Sequence, residues 1–229
     1  MIGRSYSMCG IYGFARITSQ PAPLVELARI ASMASSRGQD ACGAAAWLNE
    51  SLAVRRALGP FCMHPEIIEG LDQAVSVIGN ARLATTGTFD LSDAQPVTCG
   101  QIAVVHNGVI PGHHQIARYR HLSLATNCDS EILATLIHGE SGDPCSRLSN
   151  AVSVIPSETP YAVLAIIDGA LWVACRKMPL YSQTTPTGIY FSSRKPCFMG
   201  CDPVPDGVWA AERFVSKNLR AETIRVAAV

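Results

Sequence analysis

The longest apolar stretch of the chain, residues 161–175, is cut in two by Asp168-Gly169. That interruption constrains the fold more than any other feature. A bilayer-spanning helix needs about 18 uninterrupted apolar residues, and no stretch approaches that. An Asp-Gly pair between two apolar runs is instead a strong hairpin signal, because both residues tolerate the positive φ angles of a tight turn. The chain therefore reads as a protein of short strands. Residues 75–84 and 101–106 carry β-branched runs, and 9–15, 188–193 and 222–229 add three more strands. Residues 41–48 and 52–58 form a pair joined through Asn49-Glu50-Ser51.

Helices are few. Residues 23–36 place Leu24, Leu27, Ala28 and Ala31 at the i, i+3, i+4, i+7 spacing of an amphipathic helix. Arg37-Gly38 closes it, with Gly38 able to take a left-handed cap. Residues 65–71 read as a short helix. Residues 129–138 bury Ile132, Leu133, Leu136 and Ile137, with Thr126-x-x-Asp129 as a capping box. Asp143-Pro144 opens another, with Leu148, Val152 and Ile155 on one face. Many antiparallel strands with helices grouped apart predict an α+β fold, two antiparallel sheets between helical layers. No repeat or low-complexity linker marks a domain boundary.

Composition removes several functions. The 18 Lys and Arg balance the 18 Asp and Glu, so the basic footprint that duplex nucleic acid requires is missing. With 48% hydrophobic and 16% charged residues, the chain is not a disordered one. The nine cysteines are an odd number spread along the whole length, unlike a secreted disulfide scaffold. Cys62-x-His64 and Cys197-x-x-x-Cys201 lack the second pair that a tetrahedral metal site needs. The N-terminal MIGRSYSM has no apolar export segment. The expectation is a reduced, cytoplasmic chain with no metal, no cofactor, no membrane span and no nucleic-acid partner.

Five clusters combine glycine with polar residues: Met8-Cys9-Gly10-Ile11, Arg37-Gly38-Gln39-Asp40, residues 79–87 (GNARLATTG), His106-Asn107-Gly108-Val109-Ile110, and Asp129-Ser130-Glu131. Each alone has an ordinary structural reading: a buried thiol, a helix end, a turn, a helix start. In this order they resemble the glutamine amidotransferase domain of the N-terminal-nucleophile hydrolases, over residues 9–193. Residues 37–43 (RGQDACG) and Gln95-Pro96 are most similar to the phosphoribosylpyrophosphate branch of that family.

The resemblance implies a four-layer αββα sandwich and a defined chemistry. Cys9 would supply both a thiol nucleophile and, as first residue, the α-amine that takes its proton. Asn107 and Gly108 would stabilise the tetrahedral oxyanion, Arg82 and Thr85 would hold the α-carboxylate of L-glutamine, and Asp129 its α-ammonium. Arg37 and Asp40 would order the surroundings. The chain departs from relatives at Asn80 and Thr86, where they carry His, and at Leu83, where they carry an aromatic residue. Residues 1–8 would be a leader that is untranslated or removed, with the domain spanning 9–229. The expected activity is a stand-alone glutaminase that passes ammonia to a separate synthase subunit. The alternatives are a glutamine-binding module with Cys9 blocked, and a related amide hydrolase with another substrate.

Overall fold

Asp168 and Gly169 adopt φ angles of 52° and 80°, and their turn folds the two apolar runs into an antiparallel pair along their full length. This computed structural model describes residues 9–83, 90–196 and 200–215. The elements in chain order begin with β1 (Gly10–Arg16), α1 (Leu24–Ser35), β2 (Ala41–Leu48), β3 (Ser51–Leu58) and β4 (Ser76–Arg82). Next come β5 (Val97–Cys99), β6 (Ile102–Gly108), α2 (His113–Tyr119), α3 (Glu131–Gly139) and α4 (Pro144–Val152). The last are β7 (Tyr161–Ile167), β8 (Ala170–Arg176), β9 (Tyr181–Thr184), β10 (Gly188–Ser192), β11 (Asp202–Pro203) and β12 (Gly207–Ala210).

The strands form two sheets, a seven-stranded one ordered β11-β9-β10-β1-β4-β2-β3 and a five-stranded one ordered β12-β8-β7-β6-β5. All their pairings are antiparallel. Three apolar layers hold the stack together. Tyr12, Phe14, Val77 and Ala44 pack against Leu27, Ile30 and Ala34 of α1. Ile11, Ile78, Ala103, Val105, Leu164 and Val173 fill the space between the sheets. Ile102, Val104, Val163 and Ala165 pack against Ile132, Leu133, Ile137 and Leu148 of α3 and α4. The architecture is the α+β fold of two antiparallel sheets between helical layers that the strand and helix pattern predicts, the αββα sandwich that the resemblance implies.

Several local expectations need correction. Gly38 takes no left-handed cap, because α1 ends on Ser36 with φ −67°. Glycine is needed there for a different reason: a Cβ at position 38 would lie 2.3 Å from the Arg82 carbonyl carbon. Residues 65–71 form only a 3₁₀ turn at Pro65–Ile67. The Thr126 capping box does not form. Helix α3 starts at Glu131 behind Ser130, which makes no side-chain cap bond, and the Thr126 hydroxyl donates instead to the Glu131 carboxylate at 2.7 Å. The expected strand at 222–229 lies outside the described residues. The sequence pattern does not predict β5, β9, β11, β12 or α2. The first four are short, β9 reads Tyr-Ser-Gln-Thr, and all depend on pairing to a neighbouring strand rather than on their own pattern.

Gly10 sets how closely α1 approaches β1. A Cβ there would sit 2.3 Å from the Ala34 carbonyl oxygen, a backbone atom that no rotamer change can move. Gly10→Ala is therefore expected to destabilise the fold by about 1–3 kcal/mol through overpacking. Urea unfolding reads this directly, and an unchanged midpoint contradicts the close β1–α1 contact.

Candidate active site

Strand alternation decides which side chains can meet between the sheets. On β1, Tyr12 and Phe14 face α1 while Ile11 and Ala15 face the other sheet, so Cys9, two residues before Ile11, continues the inter-sheet row. On β4, Val77 faces α1, and a Cβ at Gly79 would lie 2.0 Å from the Tyr12 ring on that same side. Ile78, Asn80 and Arg82 therefore form the inter-sheet row. The register pairs Gly10 with Ala81 and Ile11 with Asn80, which sets Cys9 beside Arg82. From the opposite sheet, Ala103 and Val105 of β6 face inward, and Asn107 extends their row at the same end.

The Cys9 thiol is the electrostatic centre of this end. Burial pushes its pKa up, while a backbone hydrogen bond from Leu83 and the positive charge of Arg82 pull it down, and Asp129 raises it further. Arg37 feels Cys9 in return. Burial and the neighbouring Arg194 lower the Arg37 pKa, and Cys9 counters them. Its guanidinium donates to the Ser193 carbonyl at 3.2 Å. Cys9 thus lies within electrostatic reach of Arg82, Asp129 and Arg37. Arg82 is itself anchored, donating to the Asp93 carbonyl. Asp40 is exposed and contributes through its backbone, its N–H donating to the Arg82 carbonyl at 3.0 Å. Thr85 lies outside the described residues.

Asn107 is fully buried, and neither atom of its carboxamide has a hydrogen-bond partner. A buried unpaired amide costs about 1–3 kcal/mol, which is sensible where a ligand supplies the partner. Gly108 follows with φ 151°. A Cβ there would stand 2.5 Å from His106 Nε2 and 3.1 Å from the Pro160 carbonyl, so only glycine carries the backbone through this position. The Asn-Gly pair is thus the end of a strand facing the thiol layer, not the apex of a hairpin turn.

Behind Asn107 runs a polar network on the helix side of β6. Gln95 Oε1 accepts from the His106 backbone N–H at 2.6 Å, and Gln95 Nε2 donates to Ser130 Oγ at 3.1 Å. His106 Nδ1 lies 3.1 Å from the same Ser130 oxygen, whose hydroxyl donates to Asp129 Oδ1 at 3.2 Å. With Ser130 spending its proton on Asp129, the hydrogen-bond count assigns the His106 proton to Nδ1. Burial lowers the His106 pKa against the opposing pull of Asp129, which keeps the ring neutral. Asp129 Oδ2 accepts from the Ile110 N–H at 2.7 Å. One carboxylate therefore ties the loop after Gly108 to the start of α3.

Asp93, Gln95, His106 and Ser130 were given no role by sequence reading. His106 and Ser130 lie inside recognised clusters and Gln95 in the Gln95-Pro96 pair, but their bonds are tertiary. Asp93 carried no local signal: its Oδ1 accepts from the Asn127 N–H at 2.8 Å, 34 residues away. Among the described residues no group of three His, Cys, Asp or Glu side chains could hold a metal ion, and no helix is long and apolar enough to cross a membrane.

No protein-family model matches the chain. It is similar to curated relatives, among them the glutamine–fructose-6-phosphate aminotransferase (isomerizing) of Sulfolobus acidocaldarius, at 30% identity over 209 residues, 84% of this chain and 34% of the relative. The chain spans about a third of the length of such relatives. Among solved structures, the glutamine phosphoribosylpyrophosphate amidotransferase of B. subtilis superposes with a TM-score of 0.63 at 22% identity, covering 81% of this chain and 42% of that one. A glutamine aminotransferase class-II domain protein from Silicibacter pomeroyi matches with a TM-score of 0.61 at 14% identity, covering 89% and 96%. The sandwich of two antiparallel sheets and the similarity along most of its length show that this chain belongs to the class II, N-terminal-nucleophile glutamine amidotransferase domains.

Proposed function

We propose that the protein hydrolyses L-glutamine to L-glutamate and ammonia through a thioester on Cys9, and that the ammonia passes to a separate synthase. The observation that carries this reading is the placement of one thiol beside a guanidinium and a carboxylate, with an unpartnered carboxamide on the facing sheet. The guanidinium of Arg82 suits a planar carboxylate, and Asp129 suits an ammonium, so together they fit the two charged ends of a free amino acid. Arg37 and Asp40 hold the surroundings.

Burial keeps the Cys9 thiol protonated near neutrality, so the reaction needs a base. With residues 1–8 absent, the α-amine of Cys9 serves, its ordinary pKa being about 7.7–8.0. The sulfur attacks the side-chain carbonyl carbon while its proton moves to the amine. The Asn107 carboxamide and the Gly108 N–H receive the oxyanion. The tetrahedral species then breaks its C–N bond, the amine returns the proton to the leaving nitrogen, and ammonia departs. Water attacks the thioester, with the amine again taking a proton, and glutamate leaves as the thiol re-forms. The similar aminotransferases support glutamine as nitrogen donor. The nucleophile needs a reduced thiol, which the cytoplasm maintains.

Three outcomes follow. On protein beginning at Cys9, Cys9→Ala abolishes glutaminase activity, Asn107→Ala lowers kcat by about 10²–10³-fold, and Arg82→Lys mainly raises KM for glutamine by about ten-fold or more; steady-state kinetics separate these. Retained turnover in Cys9→Ala contradicts the mechanism. Iodoacetamide alkylation of Cys9, with Cys9→Ala as background, rises with pH through a midpoint above the ordinary thiol value of about 8.5. Because Arg82 lowers that pKa, Arg82→Met shifts the midpoint higher still, whereas a downward shift contradicts the assigned charge contact. Intact mass of the protein from its native host shows Cys9 as first residue. Active protein that retains Met1 overturns the role given to the α-amine, and a blocked Cys9 on inactive protein points to a glutamine-binding module.

A further inference from the structure

Asn80 is 1% exposed, and neither Oδ1 nor Nδ2 of its carboxamide has a hydrogen-bond partner. A buried amide left this way gives up water and gains nothing in return, so it calls for a partner such as a bound ligand or water. Its place is specific. Asn80 lies on the inter-sheet face of β4, one step inward from Arg82 and paired across the sheet with Ile11 of β1 and Gly43 of β2. Ile11 is two residues from Cys9 along the same row, so Asn80 is diagonal to the nucleophile. On the other flank Gly43 has no side chain and the Gln95 backbone takes that space, a Cβ there lying 2.3 Å from the Gln95 carbonyl oxygen. The second such carboxamide in the inter-sheet layer at this end is Asn107, brought from β6.

We infer that Asn80 is a further substrate-contacting residue, whose Oδ1 accepts a hydrogen bond from the side-chain amide nitrogen of the substrate. The assignment rests on the glutaminase reading above and deepens it. Asn107 donates to the amide oxygen and Asn80 accepts from the amide N–H. The two carboxamides together recognise both ends of a primary amide, which is a donor and acceptor side by side. Asn80 also stays in contact with the nitrogen as it leaves, holding ammonia at the inner end of the layer after the C–N bond breaks. A carbonyl compound without an N–H satisfies Asn107 but makes no use of Asn80.

The test compares two substrates on protein beginning at Cys9: glutamine, and glutamic acid γ-methyl ester, which has the same carbonyl and no N–H. Asn80→Leu, close in size, is expected to lower kcat/KM for glutamine by about 10–100-fold, as loss of a buried hydrogen bond to substrate does. It should leave ester hydrolysis within about three-fold of wild type, which also shows that the variant folds. Thermal unfolding of Asn80→Leu should be unchanged or higher, since an unpaired polar group has been removed. Asn80→Ser, which keeps an acceptor oxygen, should recover part of the glutamine activity. Equal losses on both substrates, or undiminished glutamine turnover in Asn80→Leu, overturn the assignment while leaving the glutaminase reading intact. A wild-type protein that hydrolyses neither substrate overturns that reading and the role of Asn80 with it.

Discussion

The antiparallel register between β1 and β4 is the constraint on which the rest of the structure depends. Pairing Gly10 with Ala81 and Ile11 with Asn80 brings the start of β1 alongside the end of β4, and side-chain alternation then turns Cys9, Asn80 and Arg82 toward the second sheet. A slip of one residue by either strand would turn that strand's share of them toward α1. Two contacts lock this end. Gly10 lets the Ala34 turn of α1 lie directly on β1, and Gly38 lets the chain after α1 lie directly on the Arg82 backbone. Glycine at these points acts by close approach and not by an unusual φ angle.

Polar burial divides into two kinds across β6. On the helix side, Gln95, His106, Ser130 and Asp129 are hydrogen-bonded in a chain that ends on the Ile110 backbone. Such a connected network rigidifies its surroundings, and it fixes the loop that follows Asn107-Gly108. On the inter-sheet side, Asn107 and Asn80 hold carboxamides with no protein partner. A connected network, in which His106 Nε2 alone lacks a partner, supporting unpaired carboxamides on the inter-sheet side is what preorganisation for a ligand looks like, because the donors stay in place before the substrate arrives.

The parts of the fold readable from the sequence are those whose signals are local. The Asp168-Gly169 turn, the Leu27–Ala31 face of α1 and the β-branched run of β6 each declare themselves within a few residues. β9, with Tyr-Ser-Gln-Thr, declares nothing, and exists because β10 pairs with it. The same divide runs through the site. Cys9, Arg82, Asn107 and Asp129 sit in recognisable glycine-bearing clusters, and the structure brings Cys9, Arg82 and Asp129 together. Thr126 misled, since its hydroxyl found the Glu131 carboxylate in place of a helix N–H. Asp93, which anchors both Arg82 and Asn127, could not be read at all, because its contacts join segments far apart in the chain.

The central claim is the proposed one, that the Cys9 sulfur attacks the side-chain amide of a glutamine held by Arg82 and Asp129. Treatment of the protein beginning at Cys9 with a glutamine-like diazoketone, followed by peptide mass spectrometry, tests it most directly. A single covalent adduct on Cys9, formed at a rate that free glutamine suppresses, is the predicted result. No adduct on Cys9, or labelling spread over the other cysteines and indifferent to glutamine, would contradict the account.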